Sequence, residues 1–359
     1  MPKPCPAAAK AFPETKIRLF HLPNAGSGSP KNGLRKSKIG CNSKILHLPT
    51  HFFYFFLAQF KVQLYFCGVL LNYYTELNFF IMLQINEIDF SYGRRKTPVF
   101  EHFSLRFEPG HIYGLLGKNG TGKSTLLYLM SGLLRQQRGT VLFEGTDVRL
   151  RRPEVLREMF LVPEEIELPH LSMERYVQLN ACFYPRFDYE VLMRCMTDFD
   201  LDPQAKLDSL SMGQRKKAFV CFALATGTRL LLMDEPTNGL DIPSKSIFRQ
   251  VVARHITEDR TLIVSTHQVN DVAMLLDHVV MLQGSHLLLN RSVADISAAV
   301  RCEERALGEP TDDALYVQNS LQGHAVVVEN DDPDDETPLD LELLFCCAEA
   351  GKLPQSLTC

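Results

Sequence analysis

Three short stretches hold residue types whose spacing could do phosphate chemistry. The first, Gly117 to Thr125, reads Gly-Lys-Asn-Gly-Thr-Gly-Lys-Ser-Thr. Glycines at 117, 120 and 122 let the backbone curl so that successive N–H groups, that of Asn119 among them, point at phosphate oxygens. A helix starting there adds the positive end of its dipole. Lys123 can then reach the β- and γ-phosphates, and the Ser124 hydroxyl, beside Thr125, can ligate Mg²⁺. The second stretch, Leu230 to Glu235, is an apolar run ending in two carboxylates. Such an end presents Asp234 to the Mg²⁺ shell and lets Glu235 polarise an attacking water. The third is His267, just past Ile263-Val264-Ser265-Thr266, where an imidazole can contact the γ-phosphate.

Four further features are ordinary when taken singly. Leu210-Ser211-Met212-Gly213-Gln214 opens a helix, and a serine and a glycine there make an N-cap or a second anion-binding end. Asn238-Gly239-Leu240-Asp241 reads as a loop after Pro236. Tyr92 can stack on a base or sit in a core. Leu161-Val162-Pro163-Glu164-Glu165 places an acid, Glu164, after a short apolar run.

The elements that must position these residues alternate between strand and helix. Alternating apolar residues predict strands through Leu83–Phe90, Phe103–Phe107 and Gly139–Phe143. Continuous apolar runs predict buried parallel strands at Ile112–Leu116, Leu230–Met233, Leu262–Ser265 and Val279–Leu282. Helices are predicted after the glycine-rich loop, stopping near Gly132, and over Ile247–His255 and Val269–Leu276. Residues 154–210 read as a mostly helical insertion punctuated by prolines. Beyond about Glu303, short strands at Ala314–Val317 and His324–Val328 precede an acidic turn, 330–336, read as a solvated loop, and a helix over Leu339–Ala350.

Composition is ordinary for a globular chain of 359 residues, but charge is uneven. Residues 1–81 carry ten Lys and Arg against two acids, and residues 306–359 carry one Lys against twelve acids, so no single electrostatic partner follows. The ten cysteines show no C-x-x-C or zinc spacing and read as free thiols in a reducing cytosol. Within residues 45–83 a transmembrane helix competes with a simpler origin. Pro49, Gln59, Lys61, Gln63 and Asn72 interrupt the apolar run, whereas a spanning helix needs about 20 predominantly apolar residues. The basic start also fails the signal-peptide pattern. We read residues 1–81 as an atypical extension translated from an early start codon, with the fold beginning at Met82.

Taken together and in this order, the motifs resemble those of the ATP-binding cassette (ABC) ATPases, from about Met82 to Ser297. Gly117–Thr125 is similar to the Walker A motif, Leu210–Gln214 to the signature, Leu230–Glu235 to Walker B, Asn238–Asp241 to the D-loop, His267 to the switch histidine and Tyr92 to the adenine-stacking aromatic. The resemblance implies an α/β P-loop NTPase core with a mainly parallel sheet, an antiparallel β subdomain and a helical subdomain (about 154–215). It places the ATPase domain at 82–303 and a small α+β extension at 304–359. It implies ATP and Mg²⁺, with Lys123, Glu235 and His267 catalytic and Ser124, Asp234 and Glu164 around the metal. Tyr92, Gly117, Asn119, Gly120, Gly122, Lys123, Ser124 and Thr125 would bind the nucleotide. Ser211, Gly213, Gln214 and Asp241 would complete the site of a second cassette in a head-to-tail homodimer or heterodimer. Two departures stand out. Met212 replaces a common glycine and is expected to point away from phosphate, and Glu164 stands where a glutamine is usual.

What the resemblance further implies is a transporter's ATP-hydrolysing subunit, with export as the favoured direction, acting on a separate transmembrane permease that docks near Glu164–Tyr176. The chain is expected to be cytoplasmic and peripheral on the inner face of the cell membrane. A soluble, non-transport ABC ATPase is the alternative class. No nucleic acid partner is expected, because a second cassette and a long coiled coil, the marks of the ribosome and DNA types, are missing from the sequence.

Overall fold

In the computed structural model, residues 81–359 are described apart from 94–96, 168, 322, 332–337 and 359. The reading of residues 1–80 as an extension and most of the acidic turn lie outside the described residues. In chain order, β1 (Leu83–Phe90), β2 (Phe100–Phe107), β3 (Ile112–Leu116), α1 (Lys123–Met130), β4 (Arg138–Phe143) and the short β5 (Thr146–Asp147) come first. Then follow α2 (Pro153–Leu156), β6 (Met159–Val162), α3 (Met173–Asn180), α4 (Tyr189–Asp198), α5 (Met212–Ala225), β7 (Leu230–Asp234), α6 (Ile242–His255) and β8 (Thr261–Thr266). The chain ends with β9 (His278–Gln283), β10 (His286–Ser292), α7 (Val293–Ala299), β11 (Val300–Ala306), β12 (Tyr316–Asn319), β13 (Gly323–Glu329) and α8 (Leu341–Glu349).

The alternating strands build an antiparallel sheet in the order β2-β1-β4-β5. The continuous apolar runs build a second sheet, ordered β10-β9-β3-β8-β7-β6 and parallel except for its edge strand β10. Both faces of that sheet are covered, which is why its strands carry no polar alternation. Leu230, Leu232 and Ile263 pack with Leu126 and Leu127 of α1 and with Ile85 and Val141 of the antiparallel sheet. Leu231, Met233, Leu262 and Val264 pack on the other side with Val220, Phe222 and Phe248 from α5 and α6. Each such side chain, fully buried, contributes roughly 1.5–3 kcal/mol. The last sheet, β11-β13-β12, is antiparallel, and Leu344 and Cys347 of α8 continue the same core.

Several expectations are corrected here. Met159–Val162 is a strand of the central sheet, paired in parallel with β7, inside the stretch 154–210 read as mostly helical. Its four apolar residues fill the sheet edge before Pro163 stops it. Val269–Leu276 forms two 3₁₀ turns, Val269–Asp271 and Ala273–Leu275, separated where Val272 leaves helical geometry (φ −122°). β11, which begins at Val300, pairs along its whole length with β13.

Arg260 ties three elements together from inside. It is buried, its Nε donates to the Thr228 carbonyl at 2.9 Å, and its Nη1 donates to the Leu224 and His255 carbonyls at 3.1 Å each. Burial brings this guanidinium down to about 10. Arg260→Ala is expected to lower unfolding stability by roughly 2–4 kcal/mol, since it strands carbonyls at the ends of α5 and α6. Chemical denaturation of the two chains checks this, and a loss below about 0.5 kcal/mol, the range of ordinary surface changes, contradicts it.

Candidate functional site

β3 runs into the loop Gly117–Gly122, and α1 begins at Lys123 with Gly122 as its N-cap at φ 99°. No side chain caps this helix, so its first N–H groups stay available to an anion. A side chain at Gly122 would meet Val99 Cγ1 at 2.8 Å and Phe100 Cζ at 2.9 Å, besides being strained at that φ. Lys123 is folded back on its own loop. Its Nζ donates to the Gly117 carbonyl at 2.7 Å and to the Lys118 carbonyl at 3.1 Å. Burial pushes this ammonium's pKa down, while Glu235, Asp234 and Glu164 hold it up. Tyr92 is 56% exposed, and its hydroxyl shares a 2.8 Å hydrogen bond with Thr125 Oγ1.

At the end of β7, Asp234 is buried. Its Oδ1 accepts from the Ser265 hydroxyl, and its Oδ2 is buried without a hydrogen-bond partner. Burial raises its pKa, against the Ser265 and Ser124 hydroxyls. Glu235, 4% exposed, adopts the left-handed φ of 45°. Its Oε1 accepts from the His267 N–H at 3.0 Å and meets the His267 ring Nδ1 at 2.7 Å, while Oε2 accepts from Thr266 Oγ1 at 3.0 Å. Glu164 Oε1 accepts from Asn238 Nδ2 at 3.2 Å.

A cleft of about 540 Å³ is lined by Tyr92, Asn119, Gly120, Gly122, Lys123, Ser124, Thr125, Glu164, Glu235 and His267, with Val99 and Asn238. Of the residues singled out from sequence, Gly117 and Asp234 lie outside this lining, as do Ser211, Gly213, Gln214 and Asp241. Gly117 borders a neighbouring hollow with Lys118 and Phe345. In this single chain Ser211 and Gln214 satisfy each other. Ser211 Oγ accepts from the Gln214 N–H at 3.3 Å, and Gln214 Oε1 accepts from the Ser211 N–H at 3.0 Å, a reciprocal capping box on α5. Asp241 caps α6 by accepting from the Ser244 N–H at 3.0 Å, and its contacts with Ser244 hold its carboxyl below the usual range. A Cβ on Gly213 would stand 3.0 Å from the Gly239 carbonyl, and Met212, 68% exposed, lies against Gly239.

Sequence reasoning missed Lys216, Ser265 and Thr266. Lys216 is buried on α5, and its Nζ donates to the Glu235 carbonyl at 2.8 Å. Thr266 and Ser265 are strand residues whose role comes from pairing with β7, and nothing local in the sequence marks them.

Strand, glycine-rich loop and uncapped helix beside an Asp-Glu strand end define a P-loop nucleotide-binding protein. Residues 100–238 match the family profile described as ABC transporter. The cobalt import ATP-binding protein CbiO of Salmonella paratyphi A (strain ATCC 9150 / SARB42) is 30% identical over 254 residues, 67% of this chain and 92% of that one. The ABC transporter ATP-binding protein YtrB of Bacillus subtilis (strain 168) is 28% identical over 193 residues, 53% of this chain and 65% of that one. Among solved structures, the ATP-binding subunit of an ABC transporter superposes with a TM-score of 0.54 at 22% identity, covering 60% of this chain and 91% of that one. That likeness supports the fold. The chain belongs to the ATP-binding subunits of ABC transporters, a family that binds and hydrolyses ATP.

Gly122→Ala is expected to weaken ATP binding at least about tenfold, because the added methyl meets Val99 and Phe100 and the loop cannot keep its φ. Titration with a fluorescent ATP analogue measures it. An unchanged affinity would mean the loop does not cradle phosphate.

Proposed function

We propose that this chain hydrolyses ATP with Mg²⁺ and drives transport through a separate transmembrane subunit, as one of two cassettes closing head to tail. The observation that carries this is the single cleft in which Lys123, Ser124, Glu164, Glu235 and His267 face the uncapped start of α1. The orphaned Asp234 Oδ2 fits a cation, and Ser124, Asp234 and Glu164 are the residues that would hold it. When bound, Mg²⁺ neutralises charge on the β- and γ-phosphates. Lys123 turns from the loop carbonyls to those phosphates. Glu235 has three donors on roughly four acceptor positions. One remains for a water, which it orients toward the γ-phosphorus and whose proton it takes as ADP leaves. His267, braced on Glu235, faces the γ-phosphate.

Ser211, Gly213, Gln214 and Asp241 stand outside the cleft, which supports their use in the site of a second cassette, of identical or different sequence. For the transmembrane subunit, an apolar groove of about 760 Å³ runs between Leu133, Arg151, Phe160, Tyr176, Phe183 and Tyr184. Leu133 and Phe183 are exposed large apolar side chains there. Such a groove suits a short helix of a permease. It shares Tyr176 with the docking surface expected from sequence and extends it toward α2. Among the described residues no helix is long and apolar enough to cross a membrane. We place the chain on the inner face of the cell membrane, held by that partner.

Names among the relatives run in both directions, from cobalt import to Nod factor export. We favour export, the direction that the sequence resemblance implies. In proteoliposomes holding the permease, an exporter's ATPase is stimulated by cargo on the cassette side. Stimulation only from the opposite side would reverse the direction.

Two outcomes test the main proposal. A tagged chain from Met82 is expected to co-purify from membranes with a stoichiometric integral membrane protein. Phe183→Asp should abolish that capture while leaving basal ATP hydrolysis within about twofold, the scale of a surface change. Recovery of a partner-free or ribosome-bound chain would instead favour the soluble class. Glu164→Gln is expected to shift the Mg²⁺ titration of ATP hydrolysis, and an unmoved midpoint would remove Glu164 from the metal shell.

A further inference from the structure

Lys216 has no part in the function argued so far, yet it is 3% exposed on the helix that the signature opens. Burying an ammonium is costly unless it is hydrogen-bonded and faces opposite charge. Its Nζ donates to the Glu235 carbonyl at 2.8 Å. The same carbonyl accepts the Asn238 N–H at 3.2 Å, and Asn238 Nδ2 donates to Glu164 Oε1 at 3.2 Å. One backbone carbonyl and one amide side chain therefore join the buried ammonium to the carboxylate at 164. Glu235 holds a left-handed φ of 45°, which a non-glycine residue keeps only when its surroundings over-determine it. Its N–H donates to the Ser265 carbonyl at 3.0 Å and its own carbonyl takes two donors, so the peptides on both sides are held.

We propose that Lys216 is a positioning residue for ATP hydrolysis that fixes the Glu235 peptide and supplies the counter-charge allowing a carboxylate at Glu164. The proposal rests on the ATPase reading above. Glu164 and Glu235 line the cleft, and Asp234 lies buried close by them, outside the lining. Lys123 is taken up by phosphate, and beside the charge that Mg²⁺ would supply a second side-chain cation, Lys216, faces them from below. Burial lowers the Lys216 pKa, and Glu164 is foremost among the three carboxylates that hold it up. The two side chains thus act as a compensated pair across the junction between signature helix, Walker B strand end and the loop after β6.

The test is a double-mutant cycle on the full chain with Lys216→Gln, Glu164→Gln, the pair together, and Lys216→Arg. Lys216→Gln is expected to lower kcat about tenfold or more with KM for ATP within about twofold, the split of a group that acts through the catalytic carboxylate. The double variant should recover most of that loss, and Lys216→Arg should retain most of the wild-type kcat. Independent, multiplying effects of the two substitutions, or an unchanged kcat in Lys216→Gln, would overturn the proposal. Thermal melting of the wild type, the two single Gln variants and the double variant gives a second cycle. Should Lys216→Gln not fold alone, recovery of folding in the Glu164→Gln background supports the pair and failure to recover overturns it. A wild-type chain without ATPase activity would sink the functional reading, and the melting cycle would still decide whether Lys216 and Glu164 are coupled.

Discussion

Everything at the site depends on the register of three parallel strands. Leu116 of β3 lies opposite Thr266 of β8, and Ser265 of β8 lies opposite Asp234 of β7. The strands therefore end at one level. The glycine-rich loop, the Asp-Glu pair and His267 leave the sheet side by side, although 150 residues separate the first from the last. Ligand sites of open parallel sheets lie outside the carboxyl ends of their strands for this reason. A slip of one residue in β8 would turn Ser265 away from Asp234 and send its apolar neighbours to the opposite face. The dense apolar burial of Leu230–Met233 and Leu262–Val264 is what makes that slip prohibitive.

Around Glu235 the chain concentrates its hydrogen-bonding capacity. The carboxylate receives Thr266 and both the backbone and ring nitrogens of His267, and the peptide receives Lys216 and Asn238. A flexible glutamate would have to be ordered each time a water and a phosphate arrive. Here that ordering is already made in the folded state, at the expense of a left-handed backbone and a buried ammonium. Such strain persists only on a rigid support, and the two covered faces of the central sheet provide it.

What was legible in the sequence follows from how local each signal is. The P-loop is visible because its turn and its lysine lie within nine residues, and the central strands are visible because double burial demands unbroken apolar runs. β6 escaped notice since four apolar residues inside a proline-rich stretch match a strand and a helix edge equally well. Only pairing with β7 decides between them. Thr266 and Lys216 were hidden for a deeper reason. Nothing in their neighbours along the chain announces a function, because their role is a contact made across 19 to 31 residues. Met212 went the other way. Its exposure and its contact with Gly239 follow from α5 beginning there with its first turn at the surface.

The three helix starts singled out from sequence are not alike, and the difference bears on the proposed closure of two cassettes. α1 has no side-chain cap, while α5 is closed by the Ser211–Gln214 box and α6 by Asp241. An N-cap of this kind is typically worth about 1 kcal/mol. The P-loop helix thus gives up a local cap and keeps its N–H groups for phosphate, so it is ready to bind as a monomer. The signature helix is capped, and the Ser211 hydroxyl that accepts the Gln214 N–H keeps its own proton to donate to a phosphate. On the proposed head-to-tail reading, the uncapped α1 takes its nucleotide first, and the signature of a second cassette meets that phosphate with a helix start already held in shape by its cap. That ordering would make the proposed closure depend on a phosphate being present, because an anion is what the Ser211 hydroxyl and the α5 dipole can meet.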